Sequence, residues 1–188
     1  MTNYKPPIIL GILLLSLFQL SAQNLQESRT LSIAYWGQFA YQPGAKISLS
    51  IPHRRWQNNR SQKKVFSNYQ VGFYTNPETE SGYLAGVELG IQSSPQGKTR
   101  FQAISVGAAY LLQSDVIGFS VDLATGETGK KDRKTDHLFL PTINYQFGNQ
   151  LGERASWYSK VSLGSKLSNQ LESEMVVFLE LGLQFSLQ

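Results

Sequence analysis

The chain has 188 residues, 41% of them hydrophobic, 12% aromatic and only 16% charged, against about 25% charged in ordinary globular chains. A net charge of +4 from 17 Lys+Arg and 13 Asp+Glu is too mild to argue for nucleic acid, and the basic residues gather in two short stretches rather than along one face. With no cysteine and two histidines, His53 and His137, disulfides, thiolate nucleophiles, cysteine-ligated metals and His-rich metal sites are excluded, and no cofactor is expected.

In MTNYKPPIILGILLLSLFQLSAQ, Lys5 and the amino group precede an apolar run from Ile8 to Leu20, followed by Ser21-Ala22-Gln23. Charged, apolar and small segments in that order are the plan of a secretory signal. As a helix the run rises about 20 Å, short of the roughly 30 Å hydrocarbon core of a bilayer. Residues 1–22 are therefore read as a signal peptide, cleaved after Ala22.

Downstream, alternation with period two is nearly everywhere and helical periodicity nearly absent. Residues 30–41, TLSIAYWGQFAY, look strand-like. GAKISLSIP sets Ala45, Ile47, Leu49 and Ile51 against Lys46, Ser48 and Ser50. VFSNYQVGFYT sets Val65, Tyr69, Val71 and Phe73 against Asn68, Gln70 and Gly72. YLAGVELGIQ, FQAISVGAAYLL, VIGFSVDLA, FLPTINYQFG and WYSKVSLGSKL repeat the pattern, and MVVFLELGLQFSLQ, with Val177, Leu179, Leu181, Leu183, Phe185 and Leu187 on one parity, makes eight without residues 30–41.

The polar parity is compact, rich in glycine, and carries Lys46, Glu88, Asp122, Lys160 and Glu180. A soluble sandwich would cover its outside with Lys, Glu and Thr. A deep apolar parity opposed by small polar residues suits a barrel with a lipid-facing wall and a tight, ion-paired interior. The fold expected is an all-β, eight-stranded antiparallel up-and-down transmembrane β-barrel over 43–188. Counting residues 30–41 would make nine strands, and bacterial single-chain barrels have even numbers. Residues 23–42 are therefore expected as a periplasmic lead-in, the alternative being a first strand with one later assignment in error.

The connections fall at 54–63, 77–80, 93–98, 113–114, 125–136, 149–155 and 168–173. With periplasmic ends, the long basic stretches at 54–63 and 125–136 both lie outside, and Phe73, Tyr74, Tyr83, Tyr110, Tyr145, Phe147, Trp157, Tyr158 and Phe185 form one periplasmic girdle.

The closing Glu180, Gly182, Phe185 and Leu187 match the spacing of an outer-membrane assembly signal, a polar residue, then glycine, then two bulky apolar residues. This strand resembles the C-terminal strand of bacterial outer-membrane proteins, which the barrel-assembly machinery reads as an exposed β-edge; Gln188 departs from it by not being aromatic. Residues 43–188 resemble small eight-stranded barrels of the OmpX/OmpA-barrel kind, and the leader is similar to those of Bacteroidetes secreted proteins. The resemblance implies the outer membrane of a Gram-negative bacterium.

Side chains fill the interior of an eight-stranded barrel, so Lys46, Glu88, Asp122, Lys160 and Glu180 are expected to form an ion-pair network, with no catalytic residue and no metal. Arg54, Arg55, Arg60, Lys63, Lys130 and Lys131 are candidate contacts for lipopolysaccharide phosphates. The expected role is non-enzymatic, a structural or accessory subunit whose partners are outer-membrane lipid, the assembly machinery and a larger complex. Two alternatives stand beside it. Lys166-Leu-Ser168-Asn169 is similar to the His-x-Ser-Asn segment of lipid A deacylase barrels, but lysine replaces the histidine base, leaving Ser168 without its proton acceptor unless His53 or His137 reaches a serine. A secreted lipocalin-like carrier shares the alternation but would turn its apolar parity inward.

Overall fold

A computed structural model describes residues 29–37, 42–76, 78–121, 128–168 and 173–187. Residues 1–22, expected from the sequence to be a signal peptide, lie outside the described residues. Eight strands run up and down in chain order: β1 (Arg29–Gly37), β2 (Gly44–Gln57), β3 (Ser61–Thr75), β4 (Glu80–Pro95), β5 (Arg100–Val121), β6 (Thr128–Gln150), β7 (Ala155–Leu167) and β8 (Ser173–Leu187). Each pairs antiparallel with its neighbours, and β1 also pairs with β8, so the sheet closes into a barrel.

Two strand assignments differ from the sequence expectation. Residues 29–37 are the first barrel strand rather than a lead-in: Ile33 is in register with Ile47 on one side and Leu183 on the other. Conversely, Gln113-Ser114 is not a turn. The β5–β6 ladder runs through it, Gln113 facing Asp136 and Ser114 facing Thr135, so the strand expected at 117–123 is the continuation of β5. The dipeptide is polar but contains neither glycine nor proline, and Gln113 points inward to donate hydrogen bonds to Asp115 at 2.9 and 3.1 Å.

The two differences cancel in the count and not in the geometry. Inserting β1 moves the 58–60 turn to the end where β1 begins and β8 finishes, hereafter the near end. The loop after β5 stays at the far end. The basic stretches around 54–63 and 125–136 therefore lie at opposite ends of the barrel. The aromatics divide in the same way: outward Tyr35, Phe73, Tyr83, Tyr110 and Phe139 ring the far end, and Tyr145, Phe147 and Phe185 the near end. Tyr74 and Tyr158, expected in the girdle, are buried in the interior at 1% and 2% exposure.

Strand parity decides inside from outside. Ile47, Val71, Leu89, Ile104, Val106, Ile143, Leu163 and Leu181 are exposed on the wall, while Lys46, Glu88, Lys160 and Glu180 are buried. Several interior glycines exist because a ring occupies the space of their side chain. A Cβ would lie 2.6 Å from the Tyr74 ring at Gly82, 2.7 Å from Phe66 at Gly90, 2.5 Å from Phe101 at Gly148 and 2.8 Å from Tyr158 at Gly182. Such glycine–aromatic pairing relieves the crowding of a narrow barrel and pins strand register.

Among the described residues, the β4–β5 ladder ends at Asp115, with the Val116 amide donating to the Thr79 carbonyl just past it, and beyond that β5 pairs only with β6, as β6 before Phe139 pairs only with β5. This two-stranded ribbon rises past the ring at the far end, and Lys130 and Lys131 lie on its β6 arm.

Candidate functional site in the barrel lumen

The interior is layered. Its middle holds two lysines and two glutamates carried by four strands. Lys46 on β2 bonds Glu180 on β8 and donates to Gln70 at 3.0 Å. Lys160 on β7 lies 2.9 and 3.1 Å from the two oxygens of Glu88 on β4, and 3.3 Å from Glu180. Tyr158 donates its hydroxyl to the other Glu180 oxygen. Asn68 and Ser105 each donate to Glu88 at 3.4 Å, and Asn144 supports Ser105 at 3.1 Å. The four ionic side chains are 2–3% exposed.

Local sequence puts them there. Lys160 and Glu180 are direct cross-strand partners on adjacent strands. Lys46 reaches Glu180 over the small Ala34 of the intervening β1, which is its register partner. Glu88 bends into space left by Gly107, where a Cβ would come 2.9 Å from its Cγ. Four opposite charges that neutralise one another, with polar donors around them, meet the condition for burying charge. Of the residues expected in this network, Lys46, Glu88, Lys160 and Glu180 meet; Asp122 lies outside the described residues.

Toward the far end an apolar plug covers the network. Trp36 stacks on Phe178 with ring centroids 4.9 Å apart and meets Tyr74 edge-on at 5.4 Å. Leu84, Leu111, Leu138, Leu140 and Val176 fill the same layer. At the far mouth sits a second ionic group that sequence reasoning missed. Lys166 binds Glu80 at 2.8 Å and approaches Glu174 at 3.9 Å, while Tyr74 donates to Glu80. Its signal was present in the inward parity of Lys166 and Tyr74, but the partner, Glu80, sat in what read as a turn.

The remaining candidates are dispersed. Arg54 and Lys63 sit on the outward parity near the near end, Arg55 on the inward parity, and Arg60 in the β2–β3 turn. Glu180 belongs to the network, Gly182 accommodates Tyr158, and Phe185 and Leu187 are exposed on the wall. Lys166 is held by Glu80. His53 Nε2 lies 2.6 Å from the Oγ of Ser67, which is itself buried, and His137 bonds Tyr110. Among the described residues neither histidine pairs with a carboxylate or meets Ser168, and no group of three or more His, Asp or Glu is placed to hold a metal.

Neither a family model nor a curated relative matches the chain. Among solved structures, it is similar to the crystal structure of Neisserial surface protein A (NspA), with a TM-score of 0.51 and 9% identity over 84% of this chain and 94% of that one. The likeness is one of fold, the all-β ring of eight up-and-down antiparallel strands.

Proposed function

We propose that the chain spans the outer membrane of a Gram-negative bacterium as a non-enzymatic barrel, a structural or accessory subunit that packs its wall against lipid and against a larger membrane complex. The exposed apolar wall carries this reading. On β4 it runs from Tyr83 to Ile91, about 26 Å along the strand, or about 20 Å along the axis at a tilt near 40°, with aromatic rings at both rims. This approaches the roughly 25 Å apolar band of outer-membrane barrels. A soluble monomer does not expose a continuous apolar belt of that extent, and a lipocalin-like carrier would have it inside.

With the longer ribbon facing outward, the basic stretch that carries Lys130 and Lys131 belongs to the lipopolysaccharide side, whereas Arg54, Arg60 and Lys63 belong to the periplasmic side. Membrane fractionation with a heat-modifiable gel shift tests the location, and full solubility without detergent would overturn it. Crosslinking in mild detergent tests for the partner complex, and mass spectrometry of lipid A from a deletion strain tests for enzymatic activity.

A further inference from the structure

On the outer wall, in the half toward the near end, a groove of about 780 Å³ opens outward over β3, β4, β5 and β6, a volume within the range of ligand pockets. Its sides are two cross-strand pairs on the outward parity, Leu89 with Val106 and Ile91 with Ile104. All four of these side chains are at least half exposed. Between the pairs the floor reaches the main chain at Gly90 and Ser105, register partners whose positions belong to the inward parity. Tyr145, the register partner of Ile104, closes the β6 flank.

The groove changes chemistry along its length. Two residues further toward the near end, the same parity carries Lys63, Ser93 and Gln102, which stand in one row across β3, β4 and β5 and line the groove as well. This polar row lies about 7 Å along the strands from Ile91 and Ile104, and about 13 Å from Leu89 and Val106. Tyr145 donates its hydroxyl to Gln102 at 3.3 Å, so the aromatic flank ties the apolar trough to its polar lip. The lysine stem can run along apolar surface while its ammonium reaches the headgroup level, and an ammonium is a point-charge binder of phosphate. Trp56, the register partner of Lys63 on β2, adds an exposed indole beside the lip, the residue type that settles at the membrane interface. An apolar trough that ends in an ammonium, a hydroxyl and an amide has the profile of an amphiphile with an anionic head.

We infer that this groove is a specific site for one membrane glycerophospholipid, with an acyl chain lying over Gly90 between the two apolar pairs and the phosphate against Lys63. Ser93 and Gln102 serve the ester and glycerol oxygens. The inference rests on the membrane-spanning reading above and adds to it a lipid held at one place on the periplasmic half of the wall, distinct from the lipid that merely surrounds the barrel.

The protein is first inserted into phosphatidylcholine vesicles and checked by the heat-modifiable gel shift. Failure at that step would sink the membrane reading itself, so the later steps test the groove alone. In an uncharged sugar detergent, phosphatidylglycerol and a diacylglycerol of the same chains are then titrated separately, and bound lipid is counted by native mass spectrometry. One saturable phosphatidylglycerol per barrel is expected, with diacylglycerol held more weakly. K63Q should weaken phosphatidylglycerol binding by about threefold or more, the scale of one exposed charge pair, and I104W should abolish it by filling the trough. K98Q in the β4–β5 turn removes a charge at the same end, and V71W adds an indole to the exposed wall outside the groove; both should bind like the unaltered protein. The gel shift verifies that each variant is folded. Binding that fails to saturate, equal retention of diacylglycerol, or unchanged binding in K63Q and I104W would reduce the groove to ordinary wall and overturn the inference. Crosslinking in which I104W displaces a protein instead of a lipid would overturn it as well.

Discussion

Replacing Lys160 with methionine isolates the energetics of the lumen. Its ammonium holds Glu88 through both carboxylate oxygens and also touches Glu180, at 2.9, 3.1 and 3.3 Å. Without it, Glu88 retains only the long hydrogen bonds from Asn68 and Ser105, 3.4 Å each. Glu180, in contrast, keeps Lys46 and Tyr158. Removing one partner of a buried ion pair costs about 3–5 kcal/mol, and Lys160→Met is expected within that range because a fully buried carboxylate loses its cation. Lys46→Met leaves Glu180 with Lys160 and Tyr158 and should cost about 1–3 kcal/mol, the scale of a lost buried hydrogen-bond partner. Adding Glu88→Gln to Lys160→Met removes the orphaned charge and should recover about half the loss or more, since residues in one network do not add. Urea unfolding in lipid vesicles, followed by tryptophan fluorescence and gel shift, measures all four proteins. Equal losses for the two lysine variants, or no recovery in the double variant, would refute the reasoning.

A charge on the wall should cost according to depth. Val106→Arg, between Leu89 and Ile143 at mid-wall, is expected to destabilise the barrel in vesicles by about 2–4 kcal/mol and Tyr83→Arg at the rim by about 0–1; equal penalties would contradict a lipid-facing band. Gly82→Ala should cost about 1–3 kcal/mol by overpacking against the Tyr74 ring, and most of that cost should vanish in a Tyr74→Leu background. An unchanged cost would mean that the ring is not the obstacle. Replacing Gly182 and Phe185 together should impair membrane insertion in cells, and Gly182→Val alone should reproduce much of the defect because its side chain would meet Tyr158, Ala34 and the Ile33 carbonyl. Normal heat-modifiable protein in the membrane fraction would count against both statements.

Side-chain parity was legible in the sequence because it has a strict period that neither turns nor tertiary contacts can hide. It separated the wall from the buried Lys46, Glu88, Lys160 and Glu180 without any knowledge of which strands are neighbours. Strand boundaries were harder to read, because Gln113-Ser114 resembles a turn chemically while its backbone pairs with Asp136 and Thr135. That split β5, and the even-number rule then displaced β1, whose Ser32, Ala34 and Trp36 face inward as regularly as those of any other strand. The apolar plug was invisible for a related reason. Phe178, Leu138 and Leu140 occupy inward positions that a simple greasy-outside rule assigns to polar residues. Pairings such as Lys46 with Glu180 depend on register accumulated around the ring, and no local pattern encodes them.

The ladder between β1 and β8 runs from Arg29 facing Leu187 to Gly37 facing Leu179, joining the two segments most distant along the described chain. Contacts of such long sequence separation form slowly, so every hairpin can exist before this seam does. A seam mispaired by two residues would still bury the same faces and complete most main-chain bonds, because side-chain direction repeats every second residue. Hydrophobicity therefore does not distinguish it from the native ring. The ionic network does: such a slip carries Glu180 about 7 Å along the strand, away from Lys46 on the opposite side of β1. The buried charges thus act as a checksum on ring closure, satisfied in one alignment and violated in its nearest competitors.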